Sequence, residues 1–370
     1  MAEIRRIALL GAGHGGCAAA VDLTQRGFEV RLHSRSETRL AALRDGITAT
    51  GARTGTVRPA LVTTDLAKAV ADVDLVVLIV PASAHETYAR ALAPLLRADV
   101  PLLLNPGHTG GSLDMAHALG AAGGAVPPLA ETVTLTYICR MEGPATVAIY
   151  RETLRLRFAA LPASRTTELA DRIAPLFPNI APVASVLETG LMNINAIIHP
   201  PGVLMNAGWT ELTGGNFLFY KEAITPSVAR VIEAVDAERL ALAAALDVDV
   251  PAFIDYFCAA GLTSEGARQS GSVYRAMQDS APNRTIRAPA SLVHRYVDED
   301  VGYGLVPMSE LARLAGVPTP TIDALVRLAS GARGVDFRAV GLTLARMGLA
   351  GVSTSELSRR VRDGYPRRGA

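Results

Sequence analysis

Two groups of residues in this chain have the types and the spacing that chemistry requires. The first is "GAGHGG", in which Gly11, Gly13 and Gly16 form G-x-G-x-x-G and enclose His14 and Gly15. Between a strand and a helix, such a loop binds the pyrophosphate of a dinucleotide. The first glycine permits the tight turn and the second lets the pyrophosphate approach the backbone. The third lets the helix pack on the strand. The second group lies in "NINAIIHPPGVLMNAG", residues 193 to 208. Asn195 and His199 are four apart and share one helix face. Pro200 is expected to end or kink the helix at His199. At a helix C-terminus the dipole favours an imidazolium, which suits proton donation near neutral pH. The alternative for the same residues is a satisfied core histidine at a structural kink.

The elements around these groups set the expected fold. "RIALLGAG", "FEVRLHSR", "DVDLVVLIVPA" and "VPLLLNPG" read as strands, alternating with helical patterns such as "GCAAAVDLTQRG". The β-branched run in the third suits a strand buried on both faces. The expected fold class is α/β, an N-terminal Rossmann-type doubly wound parallel sheet followed by an all-α substrate domain. Residues 1–180 form the dinucleotide-binding domain, with a closing helix over 163–177 and "FPNIAPVAS" as a linker. Residues 181–370 form the helical domain. Substrate is expected in the cleft between the two.

The cofactor variant is read at the end of the second strand. An NAD site usually places a carboxylate there, about 20 residues after the glycines, for the ribose hydroxyls. This chain has His33, Ser34, Arg35 and Ser36, with Arg39 one turn on. Ser34 donates to a phosphate and Arg35 and Arg39 pair with it, which favours NADP(H), with NAD(H) as the other cofactor. Pro81, and Asn105 to His108, follow central strands, where loops line the ligand crevice. Glu131 is a candidate for the nicotinamide side of the cofactor, or else a polar residue at a strand edge.

Composition narrows the classes. The chain has 370 residues, 49% hydrophobic and 19% charged, with a formal net charge of +1. That fits a packed two-domain enzyme and gives no reason to expect nucleic acid or membrane as a partner. No apolar run approaches the roughly 20 residues of a membrane span, and "IRRIALLGAG" reads as a first strand, not a targeting segment. Cys17, Cys139 and Cys258 are far apart, with neither metal-ligand nor disulfide-framework spacing, which suits a reducing cytoplasm. No metal is expected. The only lysines are Lys68 and Lys221, so a mechanism needing a catalytic lysine in the second half has Lys221 alone.

"NINAIIHPPGVLMNAG", "FLFYKEAITPSVARVIEAVDAERLALAAAL" and "RYVDEDVGYGLVPMSELARLAGVPTPTIDALV", together with "GAGHGG" and "AETVTLTYICR", resemble the opine dehydrogenase family, the octopine and nopaline dehydrogenase group. The resemblance spans nearly the whole chain. It implies NAD(P)H-dependent reductive condensation of a 2-oxo acid with the amino group of an amino acid or amine. It also implies a catalytic histidine–aspartate pair. The histidine matches His199, and the aspartate matches Asp300 in "DEDVGYGLVP", with Asp298 and Glu299 beside it. Asn195 matches an asparagine that holds substrate or the nicotinamide ribose. The family's common acidic residue after the second strand is absent here. Arg140 and Arg295 are candidates for the substrate carboxylates, and a homodimer is an expected assembly. The alternatives are a reductase of a keto acid or keto sugar phosphate with the same two-domain layout, and a non-catalytic NADP-binding sensor.

Overall fold

The computed structural model describes residues 3–366. Its strands are β1 (Arg6–Leu10), β2 (Glu29–His33), β3 (Ile47–Gly51), β4 (Gly55–Val57), β5 (Leu61–Thr63), β6 (Leu75–Leu78), β7 (Leu102–Leu104), β8 (Leu129–Thr132), β9 (Tyr137–Met141), β10 (Thr146–Glu152), β11 (Leu156–Leu161) and β12 (Ile180–Pro182). Eight of them form one sheet in the order β12-β11-β8-β7-β6-β1-β2-β5. The strands β1, β2 and β5 to β8 run parallel, and β11 meets β8 antiparallel. β6, "LVVL", is buried throughout. That is why an unbroken apolar run, not an alternating one, codes for it.

Register places the ends of these strands together. Leu10 pairs with His33 on one side and Leu78 on the other. Leu78 in turn pairs with Leu104. The residues that follow, Gly11, Ser34, Ile79 and Asn105, therefore emerge at one edge of the sheet, the carboxyl edge where an open α/β fold binds ligands.

The chain forms two compact units. One comprises residues up to Thr189 together with the segment from Arg359 on, and the other is Gly190–Ser358. Sequence patterning put the boundary at 180/181 and assigned everything after it to the helical domain. The structure instead returns the last helical turns to the first unit. Residues 180–182 of the expected linker add β12 to the sheet edge beside β11. The sequence reading also lacked a second sheet of four strands, β4-β3-β10-β9. Its two hairpins, β3–β4 and β9–β10, are joined by the parallel pairing of β3 with β10, as between Thr48 and Thr146, and local patterning cannot show partners so far apart.

The second unit is built mainly from the helices Ile194–Leu204, Pro226–Ala245, Val306–Ala315 and Pro320–Arg333. Thr225 caps the second of these, its hydroxyl accepting the Val228 N–H ahead of Pro226 at the helix start. The last ends on Gly334 in the left-handed conformation. Two π-helical segments, Phe219–Ala223 and Val301–Leu305, interrupt this pattern. Among the described residues no helix is long and apolar enough to cross a membrane.

Candidate active site

In the first unit the glycine loop follows β1. A Cβ on Gly11, at φ +122°, would lie 2.1 Å from Ile79 O, and one on Gly16 would lie 1.8 Å from Gly11 O. Any side chain at either position would push loop, helix and β6 apart. Gly13 is the converse, because nothing lies within 4 Å of its would-be Cβ. Its backbone faces open space at the start of the His14–Gln25 helix. That helix has no side-chain cap and no acidic residue in its first turn. The dipole of a helix that starts this way attracts an anion to its first turn. A cradle closed to side chains below and open above fits a dinucleotide pyrophosphate.

His14 Nδ1 accepts the Met141 N–H at 2.8 Å, and Gly15 packs under Leu135 and Ile79. After β2, Ser34 Oγ accepts the Ser36 N–H at 3.3 Å, and Ser36 caps the next short helix through the Arg39 N–H. Arg35 is exposed, its guanidinium 5.5 Å from the centre of the Tyr88 ring. The nearest following carboxylate, Glu37, is paired with Arg44 at 2.5 Å. Arg39 holds the loop itself. Its Nε donates to Ala12 O at 2.7 Å, and its other nitrogens reach Pro144 O at 2.6 Å and Cys17 Sγ at 3.3 Å. Pro81 is exposed at the end of β6.

Asn105 ties the loop after β7 to Thr136 through two hydrogen bonds, at 2.6 and 3.1 Å. Glu131 does not lie at a strand edge, because β8 runs between β7 and β11. It is fully buried, accepting from the Ser112 N–H at 3.1 Å and from the Thr189 hydroxyl. Burial pushes its carboxyl up to about 7, against the downward pull of those hydrogen bonds.

In the second unit the Ile194–Leu204 helix runs through Pro200 and Pro201 without ending. The expectation that His199 sits at a helix C-terminus is therefore corrected, and the dipole argument built on it falls. Each interior proline costs about 3 kcal/mol in a lone helix. Here residues 196 to 203 are all buried, and packing outweighs the local penalty. Gly202 allows the Phe219 ring to close in, since a Cβ there would lie 2.6 Å from it. Asn206 clamps the carbonyls of Gly202 and Ala223 at 2.8 and 3.0 Å.

His199 is 3% exposed and surrounded by specific partners. Its Nδ1 lies 2.7 Å from Asp300 Oδ2 and its Nε2 lies 3.1 Å from the Tyr220 hydroxyl. The Tyr296 ring stacks on the imidazole at 3.6 Å and 14°. Asp300 ends the Arg295–Asp300 helix, where a π-helical segment begins, and Tyr220 sits in the other π-helical segment. Such segments occur frequently at functional sites.

Helical rotation separates the "DED" carboxylates. Asp298 pairs with Arg333 at 3.0 Å, and Glu299 lies 3.6 Å from Arg295, leaving Asp300 alone on the imidazole. Asn195 is half-buried one turn before His199. Arg295 is exposed at the head of the Asp300 helix, and Arg140 is exposed on β9 of the small sheet. Tyr220 and Tyr296 were not singled out from sequence. The signal available was their place within the segments that also hold Lys221 and Asp300. Among the described residues no group of three or more His, Cys, Asp or Glu side chains is arranged to hold a metal.

The chain is 37% identical to an opine dehydrogenase of Arthrobacter sp. (strain 1C), over 98% of this chain and 100% of the relative. It belongs to the opine dehydrogenase family. The family model for the NAD/NADP octopine/nopaline dehydrogenase α-helical domain matches residues 182–333. That for the NAD-dependent glycerol-3-phosphate dehydrogenase N-terminus matches residues 6–105. A vitopine synthase of Allorhizobium ampelinum is 28% identical over 78% of both chains. The fold matches that of octopine dehydrogenase solved with NADH and L-arginine, at a TM-score of 0.79 and 19% identity, covering 99% of this chain and 100% of that one. It also matches NADP+-bound yersinopine dehydrogenase, at 0.75 and 17%, over 98% of each. As a member of the opine dehydrogenase family, the protein is an NAD(P)-dependent oxidoreductase acting on CH–NH groups.

Proposed function

We propose that the protein catalyses NAD(P)H-dependent reductive condensation of a 2-oxo acid with the amino group of an amino acid or amine, with His199 and Asp300 as its proton-handling pair. The buried 2.7 Å contact between them carries this reading. When bound, the reduced nicotinamide supplies the hydride that reduces the imine carbon.

The protein's own residues do the rest. The backbone N–H groups from Gly13 onward hold the pyrophosphate. Ser34 and Arg35 hold a ribose 2′-phosphate, a reading supported by the absence of any carboxylate at residues 34 to 36 and by the engagement of Glu37 with Arg44. NADP(H) is accordingly the preferred cofactor. Arg39 supports the loop through Ala12, Pro144 and Cys17. Asp300 fixes the imidazole so that Nδ1 carries the proton toward it and Nε2 exchanges protons. His199 then acts as general acid while the keto oxygen is lost, and as general base in the reverse direction. Asn195, one turn away, orients the substrate.

The test is a matrix of 2-oxo acids against amines and amino acids, read as NADPH oxidation and product mass. Oxidation that requires both substrates, with a secondary-amine dicarboxylate as product, supports the reading. Oxidation with keto acid alone would return the simple reductase.

A further inference from the structure

His199 exchanges protons through Nε2, since Nδ1 is held by Asp300 at 2.7 Å. The atom standing at Nε2 is the Tyr220 hydroxyl, 3.1 Å away. That hydroxyl also shares a hydrogen bond with Tyr296. The Tyr296 ring lies flat on the imidazole, and Phe219 closes an edge at 5.8 Å. His199 and Tyr220 are 3% and 8% exposed, and Tyr296 is half-buried. The four polar groups thus form one line, Asp300–His199–Tyr220–Tyr296, from the core outward.

We propose that Tyr220 and Tyr296 are a proton relay through which His199 serves the substrate. The proposal rests on the reading of His199 as the acid/base group and adds the path its proton takes. The acceptor is the hydroxyl of the carbinolamine formed from the 2-oxo acid and the amine. As the Nε2–H bond of the imidazolium breaks, Tyr220 gains that proton and gives its own to the Tyr296 oxygen. Tyr296 gives its own to the carbinolamine hydroxyl. The C–O bond breaks with its electron pair on oxygen, water leaves, and the nitrogen lone pair forms C=N. His199 ends neutral, the iminium carries the positive charge, and no electrons change hands with the protein.

A phenol suits this task because it accepts and donates at once without ionising. Burial, with the Tyr296 hydrogen bond and the Asp300 charge, pushes the Tyr220 phenol well above its ordinary value, against the opposing effect of Arg295. The hydroxyl therefore stays neutral and passes a proton instead of storing a charge.

The relay is tested by single-turnover NADPH oxidation in mixtures of H2O and D2O, for the wild type and for Tyr220→Phe, Tyr296→Phe and His199→Gln. Thermal melting and NADPH titration establish that each is folded. The expected wild-type rate falls along a curve with deuterium content, because several protons move together. Tyr220→Phe lowers the rate by about 100-fold or more, leaves both KM values within about threefold, and makes the deuterium dependence linear. Tyr296→Phe, which keeps the stacked ring, acts in the same direction. A linear wild-type dependence overturns the relay, as does a Tyr220→Phe rate within about threefold of wild type beside an inactive His199→Gln. In the latter case His199 meets the substrate directly. A fully active His199→Gln would instead remove the acid/base reading beneath the proposal. If Tyr220→Phe does not fold, the wild-type curve and Tyr296→Phe decide the question.

Discussion

Replacing Arg39 with alanine separates two roles that an arginine after the second strand can play. A phosphate-binding arginine affects NADPH alone, whereas an arginine that braces the glycine loop affects both cofactors alike. The geometry favours the brace, with Arg39 reaching Ala12 O at 2.7 Å, Pro144 O at 2.6 Å and Cys17 Sγ at 3.3 Å. Hydrogen bonds from a charged donor are worth about 1.5–3 kcal/mol each. Arg39 is half-buried, and water replaces part of what is lost, so a net cost of about 2 kcal/mol at the loop is expected. That corresponds to roughly 30-fold in affinity. Arg39→Ala should therefore weaken NADH and NADPH by similar factors. Arg35→Ala should weaken NADPH alone, by roughly 10-fold or more. Fluorescence titration of both cofactors against the wild type and the two variants measures this. A loss confined to NADPH in Arg39→Ala would refute the brace and put Arg39 on the phosphate.

Three further outcomes follow from the geometry. His199→Ala should keep the fold and NADPH binding while lowering kcat by roughly 100- to 10,000-fold, and wild-type turnover in the folded variant would return the histidine to a packing role. Asp300→Asn turns an acceptor into a possible donor at Nδ1 and so favours the wrong tautomer, which should cost about 1,000-fold or more in kcat. Asp298→Asn and Glu299→Gln, which disturb ion pairs with Arg333 and Arg295, should stay near wild type, and steady-state kinetics on the three rank them. Glu131 gives a pH signature. Its folded carboxyl, near 7, binds its proton more tightly than the unfolded one, so wild-type stability falls as pH rises between about 4.5 and 7. The fall is roughly 3 kcal/mol at most, and Glu131→Gln should flatten that limb in denaturant melts at pH 5, 6 and 7. An unchanged slope would place the titration elsewhere.

The sequence shows a good part of this in advance, for identifiable reasons. Alternating strand and helix patterns, and the G-x-G-x-x-G spacing between the first strand and helix, are local facts, so the glycine loop and the parallel core were legible. The edge strand β12 and the pairing of β3 with β10 that builds the small sheet were not, because strand partners far apart leave no mark on either segment. The Pro200–Pro201 pair misled for a related reason. Propensity prices the helix alone, while the buried face from 196 to 203 is stabilised by the unit around it. The His199–Asp300 pairing was reachable only by resemblance, since 101 positions separate the two residues. Tyr220 and Tyr296 were hidden among nine tyrosines with nothing in their spacing to mark them.

The return of the segment from Arg359 to the first unit bears on how the protein is made. Gly364 packs so close to Pro162 that a Cβ on it would lie 3.2 Å from that ring, and the charge of Asp114 is felt at Tyr365. Domains usually fold in the order in which they leave the ribosome. Here the dinucleotide-binding unit cannot, because residues 190–358 must be translated before its final piece exists. At ordinary elongation rates that interval is on the order of ten seconds or more. During it the first unit stands without the segment that packs at Pro162, and the helical unit is free to form first.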